Sequence, residues 1–201
     1  MHQQIARKSL WTVRELGLPT LLRACPDCPS TRHRASGKLR LNANGKLLDA
    51  WLLVLCAGCG RTSKVPVYER VHVRELTDAR RTAFEENDAA LVRELVTSAA
   101  LAQRCGYALD WTGTWALETD LPFPDFDRIS PAPENTGFLV RFELPAPIRL
   151  ELLLMKGLCL SRGRVRTLVE SGVIRLPDGL RRSGKVGTDF GFCVVFSSGL
   201  S

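Results

Sequence analysis

Alternating and helical spacings divide the chain into segments of different kind. Residues 38–42 (KLRLN) alternate polar and apolar side chains, Asn44-Gly45 is a favoured type I′ turn pair, and 46–55 is strand-like in its apolar stretch. A β-hairpin is predicted there. Over 87–104 the apolar residues Leu91, Leu95 and Ala99, flanked by Val92, Val96 and Ala102, form one stripe. Asn87 is the N-cap candidate of that helix and Gly106 stands just past its end. A shorter helix is predicted over 77–86, and a strand over 138–144. Between them lie 121–127 (LPFPDFD) and Pro131-Ala132-Pro133, a proline-rich acidic loop. Further on, Ser161 is an N-cap and Gly172 a C-terminal glycine, bracketing a short helix over 162–171. In the last strand Phe192, Val194 and Phe196 share one face.

Composition adds bounds. The 201 residues are 45% hydrophobic, enough for a packed core in one large domain or two to three small ones. The longest apolar run, 50–57, is eight residues, against the roughly 20 that a membrane-spanning helix needs. Arg14 and Glu15 interrupt the N-terminal stretch where a secretion signal requires an apolar run. A cytoplasmic protein is expected, with no membrane partner.

The net charge of +7 is unevenly placed. Residues 1–68 hold 11 basic and 3 acidic side chains, 69–147 hold 8 and 14, and 148–201 hold 9 and 4. Basic ends concentrate polyanions, the alternative being ordinary solvated surface. Three zones are expected at these boundaries.

Seven cysteines cannot all pair, and four of them form Cys25-Pro-Asp-Cys28 and Cys56-Ala-Gly-Cys59. Two such turns aim four sulfurs at one centre, which suits one tetrahedral Zn2+, and a hairpin between them explains the long spacer. The first zone is therefore expected to be a four-cysteine zinc ribbon whose closed ion is structural. A redox dithiol is the competing reading, but neither pair precedes a helical pattern. His33, between Arg32 and Arg34, is expected to be an exposed loop residue. Asn42, Asn44, Lys46 and Asp49 crowd one turn and are expected to fasten it, and Trp51 to sit in the core. Cys105, Cys159 and Cys193 read as packing residues. Paired carboxylates, Asp110/Glu118 and Asp125/Asp127, lack a histidine or nucleophile beside them.

At the C-terminus, Arg162, Arg164 and Arg166 crowd the start of a helix capped by Ser161. Cations there oppose the macrodipole at a cost of about 0.3–1 kcal/mol each, and an anion reverses that balance. Arg181, Arg182 and Lys185 extend the track along a phosphate backbone.

Two family resemblances attach to these motifs. The stretch SGKLRLNANGKLLDAWL over 36–52, the flanking cysteine pairs and the Asn87-Asp88 step resemble the bacterial domain-of-unknown-function family DUF1062. Arg149-Leu150-Glu151, Ser161-Arg162, the run 168–173, Asp178-Gly179 and Gly187-Thr188-Asp189 resemble the S4 RNA-binding domain. The second resemblance implies an RNA-binding module, adds Arg149 to the site, and is what favours RNA over DNA. Glu151 stands where that family has Asp, Gly163 weakens the second helix, Val165 replaces a small residue, and Thr188 splits a Gly-Asp pair.

The combined expectation is an α+β protein: a zinc ribbon (1–68), an acidic helical or irregular connector (69–147) and an S4-like αα-β module (148–201). Its expected function is non-enzymatic RNA binding, with structured rRNA or tRNA, on the ribosome, as partner. A zinc-stabilised protein-interaction adaptor and an RNA-acting enzyme are the alternatives.

Overall fold

The computed structural model describes residues 5, 7–120 and 135–195. The proline-rich loop, its Asp125/Asp127 pair and Phe196 lie outside the described residues. In chain order the strands are β1 (Arg7–Glu15), β2 (Thr20–Leu22), β3 (Arg32–Asn44), β4 (Leu47–Cys56), β5 (Thr62–His72), β6 (Ala108–Asp110), β7 (Trp115–Thr119), β8 (Thr136–Phe142), β9 (Ile148–Arg149), β10 (Ile174–Arg175), β11 (Lys185–Val186) and β12 (Phe190–Val194). The α-helices are α1 (Asp78–Glu86), α2 (Ala89–Thr97), α3 (Ala99–Arg104), α4 (Leu150–Gly157) and α5 (Arg162–Glu170). The chain divides into two units, one continuous over Gly17–Thr114 and one built from the residues up to Leu16 together with those from Trp115 on. The charge boundaries at 68 and 147 do not coincide with this division.

In the continuous unit, strands in the order β5-β4-β3-β2-β6 form an antiparallel sheet. Strict alternation along β4 puts Leu48, Ala50, Leu52 and Val54 on one face, where they are fully buried. β3 and β4 pair from Asn44 opposite Leu47 to His33 opposite Cys56, with a bulge between Ala35 and Leu39. The hairpin turn is Gly45-Lys46 rather than Asn44-Gly45. Of these two only Gly45 has positive φ (+60°), so the turn follows the type II′ pattern and not type I′.

Helices α1, α2 and α3 cover the buried face with Phe84, Leu91, Val92, Leu95, Val96 and Leu101. Thr77, Asp88 and Ser98 cap them, each accepting from the backbone N–H three residues on. The single helix expected over 87–104 is two helices, because Ser98 both closes α2 and caps α3. Asn87 is not an N-cap. It ends α1 in the left-handed conformation (φ 58°, ψ 46°), and its Oδ1 accepts the Leu39 N–H at 2.7 Å beside the β3 bulge. The Asn87-Asp88 step thus closes one helix, opens the next and ties both to the sheet.

In the discontinuous unit the order is β10-β12-β8-β1-β7, with β1 parallel to β8 and the other pairs antiparallel. Its core face is aromatic. Trp11 meets Phe138 and Phe192 edge-on at 5.1 and 5.2 Å, and those two rings stack at 4.5 Å. Gly157 at the end of α4 lies so close to Trp11 that a Cβ would overlap the indole ring. α4 and α5 bury Leu150, Leu153, Leu154, Val165 and Leu168, while β9 and β11 form a separate two-stranded ladder.

This architecture overturns the expected fold. The cysteine-bearing hairpin is not a free-standing zinc ribbon: it is the interior of a five-stranded sheet whose apolar face requires α1 to α3. Residues 69–147 are no connector, since they supply that helical layer and also strands β7 and β8. Nor is 148–201 an S4-like αα-β module. β12 enters a five-stranded sheet between β10 and β8, and Phe192 is buried only because Trp11 and Phe138 reach it from distant parts of the chain.

Candidate metal centre

Strand pairing brings the four cysteines together. The first pair lies in the loop between β2 and β3, the second at the end of β4 (Cys56) and in the loop that follows it (Cys59), and β2, β3 and β4 are adjacent in the sheet. With Leu22 opposite Arg32 and His33 opposite Cys56, both loops emerge at the same end. Each loop is a tight turn held by backbone bonds: Cys25 N–H to Ser30 O at 2.9 Å in one, and Cys56 N–H to Arg61 O at 2.9 Å with Gly60 N–H to Cys56 O at 3.0 Å in the other. Gly60 takes φ +75°, a conformation other side chains rarely adopt. At Gly58 a Cβ would stand 2.9 Å from Ser30 Cβ and 3.2 Å from Cys28 Sγ, so glycine lets the second turn close against the first. Asp27, inside the first pair, is ion-paired with Arg61, just past the second.

The sulfurs of Cys25, Cys28, Cys56 and Cys59 all lie within 4.8 Å of one another. Cys25 Sγ is 3.7 Å from Cys59 Sγ and Cys28 Sγ 3.5 Å from Cys56 Sγ, and none is disulfide-bonded. A tetrahedral ion with metal–sulfur bonds of about 2.3 Å sets its sulfurs about 3.8 Å apart, so the cluster can hold a metal ion. Four ligands of one kind leave no position for substrate.

Charge makes the same point. Backbone N–H groups of Cys59 and Gly58 draw the Cys56 thiol down to about 6 against the opposing effect of burial. Cys28 is pushed up to about 12: the Ser30 N–H acts against this but is outweighed by desolvation and by the three neighbouring thiols. Cys59 is raised as well, although the Arg61 N–H pulls the other way. Four thiolates do not ionise side by side unaided, and a divalent cation in their midst displaces the retained protons.

His33 is wholly buried, not the exposed loop residue expected, and neither ring nitrogen has a hydrogen-bond partner. Burial, and to a lesser degree Arg23, lower its pKa and keep it neutral. A period of two is the signal that places it, because exposed Arg32 and Arg34 turn His33 inward. Trp51 is half-buried on the opposite face of the sheet, with Lys64 Nζ 4.6 Å from its ring centre. Asp110 and Glu118 form no catalytic pair. Thr112 and then Arg32 hold Asp110 down at about 2, and Glu118 is ion-paired with Arg14.

The C-terminal cations are only partly brought together. Arg149 stands directly opposite Lys185 on the β9–β11 ladder. Arg162 Nε lies 3.2 Å from Glu151, which Arg182 also meets. Ser161 caps α5 by accepting the Arg164 N–H at 3.2 Å. Arg166 pairs instead with Glu170 at 2.9 Å, and Arg181 is exposed on the adjoining turn.

The family described as "Protein of unknown function (DUF1062)" matches residues 41–179. The chain belongs to this family. Its matched span takes in the second cysteine pair, the Asn87-Asp88 step and both C-terminal helices, but begins after the first pair, which the sheet brings into the cluster. No curated protein and no solved structure matches the chain. Among the described residues, no helix is long and apolar enough to cross a membrane.

Proposed function

We propose that the four cysteines hold one structural zinc ion and that the chain is a non-enzymatic zinc-containing RNA-binding protein. Thiolate ligands in tetrahedral spacing favour zinc over harder ions, and a closed site favours a structural role. Bound there, zinc ties the β2–β3 and β4–β5 loops together. Cys56 ends β4 and Cys59 lies just beyond it, so the ion fixes the register of the sheet at that end.

The RNA reading is carried by one observation: Arg162 and Arg182 both reach the single carboxylate of Glu151, and on the adjoining β9–β11 ladder Arg149 stands opposite Lys185. Like charges directly opposite on a ladder, as Arg149 and Lys185 are, cost stability, and a phosphate between them removes that cost. Arg164, Arg166 and Arg181 lie around this centre as contributors to the electrostatic field.

The test is fluorescence anisotropy of labelled transfer RNA and ribosomal RNA hairpins across a salt series. Tight, salt-sensitive binding is expected, and Arg149→Ala with Lys185→Ala lowers the slope of log K against log salt by about one for each phosphate that is no longer neutralised. A folded double variant with unchanged affinity and slope overturns the site. Equal affinity for duplex DNA overturns the choice of RNA. Metal analysis of protein purified without added zinc is expected to give about one equivalent, and bound iron instead overturns the ion.

A further inference from the structure

We infer that the outer face of the β10-β12-β8-β1 sheet is a binding site for a small amphipathic anion, an acyl or aryl group carrying a carboxylate, sulfonate or phosphate. The register places four residues in one transverse row. Lys8 on β1 is opposite Gly137 on β8, Gly137 is opposite Cys193 on β12, and Cys193 is opposite Arg175 on β10. In the next row Gly191 is opposite Leu139. These positions alternate with the core residues Phe138 and Phe192 and therefore point away from the aromatic core.

Gly137 and Gly191 lack side chains and Cys193 has a short one, and Ile5, whose side chain packs over Gly137, walls the resulting trough along the β8–β12 seam. The cavity measures about 560 Å³, within the range of sites for small organic ligands. Its floor is apolar. Leu139 is 43% exposed beside it. A cation stands at each end of the row, and among the described residues no carboxylate lines the cavity. Lys8 is exposed, and among the described residues the Arg175 Nε donates only to the Gly172 carbonyl, at 3.3 Å. The site thus offers an apolar bed for the body of a ligand and a positive end for its charged group. The site shares no residue with the cysteine cluster or with the cations around Glu151, so this inference is independent of the RNA reading.

Titration of the full chain with anilinonaphthalene sulfonate, an aryl anion whose emission rises in apolar surroundings, tests the site directly. One saturable site is expected, together with weaker binding of the uncharged N-phenylnaphthylamine. Lys8→Ala with Arg175→Ala is expected to weaken the anionic dye by roughly tenfold and leave the neutral one nearly unchanged. Cys193→Phe fills the trough and is expected to abolish binding of both. Should that variant fail to fold, alkylation of Cys193 in the wild-type chain, followed by peptide mapping, replaces it: the dye is expected to slow modification of Cys193 but not of exposed Cys159. Equal dye binding by folded Cys193→Phe, or unprotected Cys193, overturns the proposal. So does a dimer in sedimentation that Leu139→Glu dissociates, since a second copy would then occupy the face.

Discussion

The two units solve the same problem with different materials. Over Gly17–Thr114 β2 to β5 pair in chain order and only the short edge strand β6 joins from a distance, an aliphatic face is covered by three short capped helices, and four sulfurs gather at one end. The other unit pairs Arg7 with Thr136 and Phe190 with Val140, and centres on three aromatic rings. No metal-ligating cluster occurs in it among the described residues. Local pairing costs little loop-closure entropy, whereas a parallel β1–β8 pairing must be repaid by large contacts such as Trp11 on Phe138. A metal site belongs with the first arrangement, because an ion held there would fasten loops that the hairpins have already brought to the same end.

The largest expected effect separates the units by their dependence on the ion. Cys56→Ser, or removal of metal by a chelator, is expected to lower the melting temperature of the continuous unit by more than about 10 °C, the consequence of losing several kcal/mol of ligand-linked stability. In a chain carrying Trp51→Phe and Trp111→Phe, tryptophan emission comes only from Trp11 and Trp115 of the other unit and is expected to change little at that temperature. Simultaneous loss of both signals would break the contrast.

A smaller effect is expected in the aromatic unit. Gly157→Ala forces a methyl group into the Trp11 ring and is expected to cost about 3 kcal/mol in urea denaturation, with metal content unchanged. A neutral substitution would mean that α4 does not depend on this close approach.

The smallest effect sharpens the role of the Asn87-Asp88 step. Asn87→Ala removes the bond to Leu39 and puts a methyl side chain at φ 58°, at an expected cost of about 2 kcal/mol. Asn87→Gly tolerates the angle and loses only the bond, so about 1 kcal/mol is expected. Equal losses in the two variants would show that the bond, not the backbone angle, is what asparagine supplies.

Much of the continuous unit is legible because its information is local. Alternation along 38–42 and the apolar stretch 46–55 mark the hairpin, paired cysteines mark the cluster, and Thr77 marks the start of α1. Local patterns mislead where two interpretations share them. Ser98 reads as an interior helical residue although its side chain caps α3, and Asn87 reads as an N-cap because the same residue type also suits a left-handed C-cap. His33 is misplaced when its neighbours are weighed for charge and not for alternation. The C-terminal motifs suggest a module because Ser161, Gly172 and the arginines between them describe a helix and its cap, and nothing in them says which sheet that helix joins.

By itself, the sequence determined the two cysteine pairs, the hairpin between them, and the cap and closing glycine of α5. Each is set by nearest neighbours along the chain: a turn, a cap, a period of two. Tertiary structure alone decided that β12 lies between β10 and β8, that β1 runs parallel to β8, and that Lys8, Gly137, Cys193 and Arg175 share a row. Those placements follow from burying Trp11, Phe138 and Phe192 against one another, and a one-dimensional pattern marks such residues as apolar without naming their partners.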